Sequence, residues 1–450
     1  MVKSVLLGGA LLAGAIVVAC GGGGESPIRL PGGPPDYCDA HLPRYKSWTF
    51  EQKLDGFKKL SPQASLSSLS SILQSVTTSQ TEEKMVCLFL SVPKEELSRF
   101  KFELEYDGDS KDLVEYVLHD IDSAERQKVI LDHFKTSPDE RRIKVLTDVD
   151  DTFFANFVDN GRRYADGTIY PGVIEFYQAL QQEPFDTGGV PITALSARPD
   201  LKVGFSEVAT LRKLRTLSEN RLKPSGQSGK LVNSTLGSIE SLVRARNKPY
   251  LDRLMARSPF DPQEDGIGET KFVNAMFFAA MFPEYKYVFV GDSGQADALT
   301  AQLLTQGELP EGTKRPIATF IHDLRRKPID REVASDSFGR VIPAETAGDP
   351  AAKGRGIITF RNHIQAAARA YDHRTELDNL IDANELVTIT QAALDQFRAR
   401  AGKAPFHATL EQQYKADAQK ALALLTASNQ PTGTIQKTLD AHWRKVVAAP

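Results

Sequence analysis

Cysteine is scarce: three residues in 450 exclude a disulfide-rich scaffold, and they form no Cys-rich zinc pattern. The eight histidines make no His-Glu-x-x-His helix, so a zinc hydrolase has little support. An excess of one charge is missing as well. With 55 Lys and Arg against 58 Asp and Glu, the net charge of -3 supplies no general attraction to nucleic acid, and no nucleic-acid partner is expected. No GxxxxGK precedes a Ser or Thr; PSGQSGK, Pro224 to Lys230, has the glycines without the spacing of a nucleotide loop. Long apolar runs are confined to the first twenty residues. What remains is ordinary globular material, 41% apolar and 25% charged, long enough for roughly two or three domains.

The exception at the start is informative. Lys3 precedes an uncharged apolar run from Val5 to Val18, too short for a ~20-residue membrane span and followed by small residues, as in an export signal. Val17, Val18, Ala19 and Cys20 resemble the lipobox of bacterial lipoproteins. The resemblance implies a signal peptide over residues 1–20, a lipidated Cys20 and a lipid-anchored, extracytoplasmic place in the bacterial cell envelope. The alternative is a buried helix, which Gly21 to Gly24 would stop at once.

Residues 21–40 hold the turn-rich PGGPPD of Pro31 to Asp36 and read as a flexible tether. Residues 41–138 read as a small accessory module. There Leu66, Leu69, Ile72 and Leu73 recur at helical spacing, whereas Val86 to Val92 and Phe100 to Tyr106 look like strands. No catalytic constellation stands out, so the module is expected to pack against or present the main domain, with partner binding as the alternative. Cys38 and Cys87 fit either a disulfide or two small buried residues.

The main domain is expected over 139–326, and its organising stretch is RRIKVLTDVDDT, Arg141 to Thr152. Ile143, Val145 and Leu146 read as a strand buried on both faces. Asp148 and Asp150 then emerge at its carboxyl end, where an open α/β sheet places its ligand crevice, and Thr152 adds a hydroxyl. Carboxylates this close repel one another, which favours a bound cation or a shared proton. A solvated acidic loop and a calcium loop are the competing readings.

Three later stations extend the pattern. Ile174 to Leu180 forms a returning helix, and Val190 to Leu195 a second strand ending at Ser196-Ala197-Arg198-Pro199. There Ser196 and Arg198 suit a phosphate, or else an ST-turn closed by Pro199. Glu269 to Phe282 is a helix with a core stripe of Phe272, Met276 and Met281. Lys271 is placed at its start, useful if a phosphate lies near and otherwise an exposed lysine. Tyr287 to Val290 is a further strand, followed by Gly291-Asp292-Ser293-Gly294-Gln295-Ala296-Asp297. Asp292 can reach a cation, and Asp297 either the cation or the lysine.

Taken together, DVDDT, SARP, Lys271 and GDSGQAD resemble the haloacid-dehalogenase superfamily of phosphotransferases. The segments YPGVIEFYQAL, residues 170–180, and KFVNAMFFAAMFPEYKYVFVGDSGQAD, residues 271–297, are more closely similar to its phosphatidate-phosphatase catalytic-domain family, related to lipin-type domains. The resemblance spans about residues 143–324, with FIHDL, Phe320 to Leu324, at the final sheet edge. It implies a Rossmann-like α/β fold with a mostly parallel sheet and a Mg²⁺-dependent phosphomonoesterase acting through an aspartyl-phosphate. Asp148 would be the nucleophile and Asp150 the acid and base. Asp148, Asp292 and the Asp150 carbonyl would hold Mg²⁺, with Asp297 orienting the shell or Lys271. Ser196 and Lys271 would bind the phosphate, with Thr152 and Arg198 in support. The substrate implied is phosphatidate or another lipid phosphate. Soluble phosphate monoesters or phosphoproteins are the alternative, and a non-catalytic lipid-phosphate sensor a further one. The chain departs from the family where Ala-Leu-Thr-Ala follows Asp297, where His322 stands in a region usually held by arginine, and over residues 218–247.

Residues 327–450 read as a connector, 343–356, and a helical extension with alanine-rich patterns at Ile358 to Tyr371, Thr388 to Arg400, Thr409 to Leu425 and Thr434 to Val447. His363 and His373 lie too far apart for one helical metal face and are expected to hold surface or packing places.

Overall fold

The computed structural model describes residues 35–60, 78–105, 113–138, 143–181, 192–200, 232–238, 262–324, 334–342, 356–401 and 407–428, short stretches inside those ranges apart. The export segment with Cys20, most of the tether, the Leu66 to Val76 stripe, the helical signals near 208–217 and 239–254, His373 and the last helical pattern lie outside the described residues.

The first module is helical: α1 (Leu42–Lys46), α2 (Phe50–Leu60), α3 (Ser79–Leu90), α4 (Lys94–Glu105) and α5 (Ala124–Phe134). Both stretches expected as strands are therefore helix. The reason is visible in what they bury: Met85, Leu88, Phe89 and Val92 in one, Leu97, Phe100 and Leu104 in the other, spaced by three and four. The unbroken run Val86 to Leu90 hid that period. Thr78 and Ser123 cap α3 and α5, their hydroxyls accepting the amides of Thr81 at 3.3 Å and Arg126 at 3.4 Å. Phe57, Phe89, Phe100 and Phe134 pack edge to face around fully buried Cys38 and Cys87, which form a disulfide. The bridge closes a separation of 49 residues. Replacing both cysteines by alanine is expected to lower stability by about 2–4 kcal/mol, read as a shift of the urea midpoint. A midpoint unchanged from the oxidised wild type would show that the module stands without it.

The sheet follows. β1 (Ile143–Thr147) leads through α6 (Val173–Leu180) to β2 (Ile192–Asp200) and β3 (Val232–Ser238). Next come α7 (Pro262–Met281), β4 (Lys286–Asp292), α8 (Asp297–Gln306) and β5 (Ala318–His322). The last described stretch holds β6 (Ile357–Phe360), α9 (His363–Asp372), α10 (Ala383–Ala401) and α11 (His407–Ala427). The six strands lie in the order β3-β2-β1-β4-β5-β6, and every pairing is parallel. This is an α/β architecture with a buried central strand, all five residues of β1 being inaccessible.

Alternation along the strands divides the core in two. Ile143, Val145, Val288, Val290, Phe320 and Phe360 face α6 and α9 to α11, while Leu146, Phe289 and Ile321 face α7, α8 and the first module. Two expectations change here. Phe320 to Leu324 is not the sheet edge, because β6 pairs beyond β5 from Thr319↔Ile357 to His322↔Phe360. Ile358 to Tyr371 is not one helix, because its β-branched start completes that strand before α9 begins.

The extension is bonded to the sheet's first crossover. Gly172, at φ +81°, donates its amide to Gln396 Oε1 at 3.0 Å, and Gln396 Nε2 donates to Glu175 at 2.8 Å. A Cβ on Gly172 would stand 2.8 Å from that of Ala393, so both backbone sign and close approach require glycine there. No helix among the described residues is long and apolar enough to cross a membrane.

Candidate functional site

β1 ends with Thr147 opposite Val290, two residues before β4 ends at Asp292, and the Asp148 amide donates to the Val290 carbonyl at 2.9 Å. The acidic turn after β1 and the glycine turn after β4 therefore open on the same edge. One oxygen each from Asp148, Asp292 and Asp297 lies within 4.8 Å of the others, and all three residues are buried. Lys271 reaches the same place, its Nζ 2.7 Å from Asp148 Oδ1 and 2.5 Å from Asp297 Oδ1. Thr152 Oγ1 donates toward Asp292 Oδ2 at 3.3 Å and Asp148 Oδ2 at 3.5 Å.

Lys271 arrives differently from expectation. It sits in the middle of α7, not at its start: Pro262 opens the helix and Glu264 and Asp265 fill its first turn, signals of an earlier beginning. Its charge is thus matched to carboxylates across the cluster and has no part at the helix terminus. Gly268 permits this placement. A Cβ there would lie 2.9 Å from the Ala296 carbonyl and 3.0 Å from Leu299, so glycine lets α7 approach the start of α8.

The second turn is shaped by Asp297. Its Oδ2 accepts the Asp292 amide at 3.1 Å, and a Cβ on Gly291 would come within 2.7 Å of that carboxylate. Ala296 takes the left-handed conformation, φ 62°, to begin α8 with the acid in its first turn. Asp292 Oδ1 in turn accepts the Gly294 amide.

Electrostatics follow from three acids and one base in a desolvated space. Burial pushes the Asp148 carboxyl up to about 7, with Lys271 opposing and Asp297 adding to the rise. Burial and then Asp297 and Asp148 hold Asp292 well above the ordinary carboxylate range. Burial disfavours the Lys271 cation, but Asp148, Asp297 and Asp292 outweigh it and raise the ammonium. One lysine cannot balance three ionised carboxylates. Oxygen donors gathered this closely suit a hard divalent cation, and this cluster could hold a metal ion.

The acidic turn has its own support. Asp150, buried, accepts Asn156 Nδ2 at 2.7 Å, apart from the three-carboxylate cluster. Asp151 turns the chain at φ 60°, and its carboxylate accepts the amides of Asn156 at 2.8 Å and Asp159 at 3.2 Å. Asp159 is gripped by Arg163 through Nε at 3.0 Å to both oxygens and by the Tyr170 hydroxyl at 2.9 Å. Beneath them lies His322, Nδ1 3.0 Å from the Asp151 carbonyl and Nε2 3.2 Å from Arg163 Nη2. Burial foremost, with the Arg163 guanidinium, pulls the His322 imidazole down to about 4. His363 is buried beside Tyr170, Phe176 and Phe360, a packing place as expected.

Of the site residues expected from sequence, Asp148, Thr152, Lys271, Asp292 and Asp297 meet directly. Asp297 joins the carboxylate cluster itself, beyond the supporting part expected of it. Asp150 stands beside the cluster. Ser196 is placed through its backbone: Ala194 pairs with Thr147, so Ser196 reaches the same sheet end as Asp148, at an irregularity before Pro199. The side chains of Ser196 and Arg198 lie outside the described residues. Asn156, Asp159, Arg163 and Tyr170 were not expected at the site, nor was His322 in a bonding role. The one hint was the density of polar residues in DNGRRYADG after FFANF. In comparisons with known proteins, the chain matches no family model, no curated protein and no solved structure.

Proposed function

We propose that this chain is a Mg²⁺-dependent phosphomonoesterase of the haloacid-dehalogenase type, acting on phosphatidate or another lipid phosphate. One observation carries the reading: Asp148, Lys271, Asp292 and Asp297, distant in sequence, form a single buried charged cluster at the carboxyl end of a parallel sheet.

In this mechanism an Asp148 oxygen attacks phosphorus and the ester P–O bond breaks, leaving an aspartyl-phosphate. Asp150, two residues on and outside the cluster, gives its proton to the departing alkoxide. Water then attacks the phosphorus of the acyl phosphate, losing its proton to Asp150, and the bond to Asp148 breaks to release inorganic phosphate. Lys271 balances the charge of the phosphoryl oxygens, together with Ser196 from the neighbouring strand and Arg198 close by. Asp148, Asp292 and the Asp150 carbonyl would hold Mg²⁺, with Asp297 orienting its surroundings; when bound, the cation neutralises charge between nucleophile and phosphate.

The lipid assignment rests on the export segment ending at Cys20. A lipid anchor would hold the enzyme at its substrate's surface in the cell envelope. The Cys38–Cys87 disulfide supports an extracytoplasmic compartment, since such bridges persist in oxidising surroundings.

The test offers the purified chain phosphatidate in mixed micelles beside soluble phosphate monoesters, with and without Mg²⁺. Mg²⁺-dependent phosphate release, faster from phosphatidate, is expected. Preference for the soluble esters would remove the lipid substrate and retain the chemistry. Folded, cation-binding protein without turnover would favour a lipid-phosphate sensor.

A further inference from the structure

A residue in the left-handed region that is not glycine is costly unless its surroundings hold it, and Asp151 is such a residue, between the proposed nucleophile and acid and Thr152. Its carbonyl points to His322 Nδ1 at 3.0 Å. A carbonyl cannot donate, so Nδ1 carries the hydrogen. Nε2 lies 3.2 Å from Arg163 Nη2, which can only donate, and 3.3 Å from the Arg361 carbonyl, which can only accept. The Asp151 carbonyl thus fixes a hydrogen on Nδ1, and the ring is stacked on Phe360 with planes 12° apart. Arg163 is itself immobilised, by Asp159 and by donating Nη1 to the Arg361 carbonyl at 3.3 Å.

From Asp151 the constraint continues to Asp150. The Asp151 carboxylate accepts the Asn156 amide, and the Asn156 side chain donates to Asp150 Oδ1 at 2.7 Å. Every link from Arg163 to Asp150 is therefore a hydrogen bond within a buried or partly buried layer. It sets the shape of the turn from behind.

We infer that His322 is a positioning residue, which as an Nδ1–H donor pins the Asp151 carbonyl and, through Asn156, sets the carboxylate of Asp150 for proton transfer. This inference rests on the proposed phosphatase reaction for its role in turnover, and on geometry alone for its hold on the turn. It accounts for a histidine at the carboxyl end of β5, beside Asp292 in the sheet, where its ring reaches the Asp151 backbone.

Two variants separate donation from packing. His322→Phe keeps a ring to stack on Phe360 and loses the donor; His322→Asn keeps an N–H near the Nδ1 position and loses the ring. His322→Phe should lower kcat for Mg²⁺-dependent phosphate release by about 10–100-fold with KM within about 2-fold of wild type, as loss of proton-transfer geometry predicts. His322→Asn should stay within about 5-fold of wild type in kcat. Hydrogen–deuterium exchange should show faster exchange at the amides of Asp151, Phe153, Asn156 and Asp159 in His322→Phe and near-native protection in His322→Asn.

Wild-type kcat in His322→Phe overturns the inference, as does an equal fall in both variants, which would mean a packing role alone. If the wild-type protein releases no phosphate, the proposed function fails. The exchange contrast between the two variants then decides whether His322 holds the turn.

Discussion

Asp148→Asn is expected to abolish Mg²⁺-dependent phosphate-ester hydrolysis, a fall of at least about 10³-fold, while leaving the fold intact. An amide is nearly the same size as the carboxylate and can still meet Thr152, but its oxygen is too weak a nucleophile to form the phosphorylated intermediate. Stability should move the other way. In the metal-free protein burial raises the Asp148 carboxyl to about 7, against 3.8 for an unburied aspartate, so the folded state holds this proton more tightly than the unfolded chain. Its contribution is therefore fully present below about pH 4 and lost as pH rises through about 7. With a chelator at about pH 8, Asp148→Asn should be at least as stable as wild type, by up to about 3 kcal/mol, because it removes a charge beside Asp292 and Asp297. Lys271 keeps Asp297 as its partner, which limits the loss on that side. Mg²⁺ should reverse the order by stabilising wild type more than the variant. Denaturation with and without the cation, beside phosphate-release assays, measures both halves. Equal turnover in the two proteins would end the covalent mechanism, and equal stabilisation by Mg²⁺ would remove Asp148 from the cation's ligands.

The acidic cluster behind this expectation was largely readable from the chain. Asp148, Asp292 and Asp297 each follow or close a turn after a buried apolar strand, and two strands with acidic ends imply one shared sheet edge. Lys271 was legible only beside the other motifs, since alone it reads as an exposed lysine, and its place within the helix was not: Gly266 and Gly268 lie where a helix is ordinarily weakened, and at Gly268 the close approach of α7 to α8 requires glycine. The polar layer behind the turn was hidden for a different reason. Arg163 meets His322 across 159 positions and Tyr164 meets Tyr414 across 250, and no local period marks such pairs. The strands at the two sides of the sheet were missed for want of pattern. Val232 to Ser238 is mostly polar, and Ile357 to Phe360 runs directly into the alanine-rich helix that follows it. The two mistaken strands in the first module show the converse failure: a continuous apolar run at Val86 to Leu90 and the alternation of Phe100 to Tyr106 each concealed a helical face.

A buried ion pair ties that first module to the end of α7, and breaking it is expected to have the largest effect on stability. Lys101 of α4 donates to Glu284 Oε2 at 2.7 Å and to the Met281 carbonyl at 2.9 Å, both charged side chains being wholly inaccessible. Its ammonium also stands 4.8 Å from the Phe134 ring and 5.2 Å from the Phe282 ring. Met281 ends α7, so the cation sits where that helix exposes unsatisfied carbonyls, and the same helix carries Lys271. Burial pulls the Lys101 ammonium down to about 8 even with Glu284 beside it, which shows how nearly desolvation offsets the attraction within the pair. The cost of mutation should then come from the partner left behind. Lys101→Met is expected to lower stability by about 3–5 kcal/mol, because it strands a buried carboxylate and frees the end of α7. Lys101→Met with Glu284→Gln should recover at least about half of that loss, since a neutral amide needs no counter-charge. Urea denaturation of the wild type, both single variants and the double variant closes the cycle. A loss below about 1 kcal/mol in Lys101→Met, or no recovery in the double variant, would mean that apolar packing alone joins the module to the sheet.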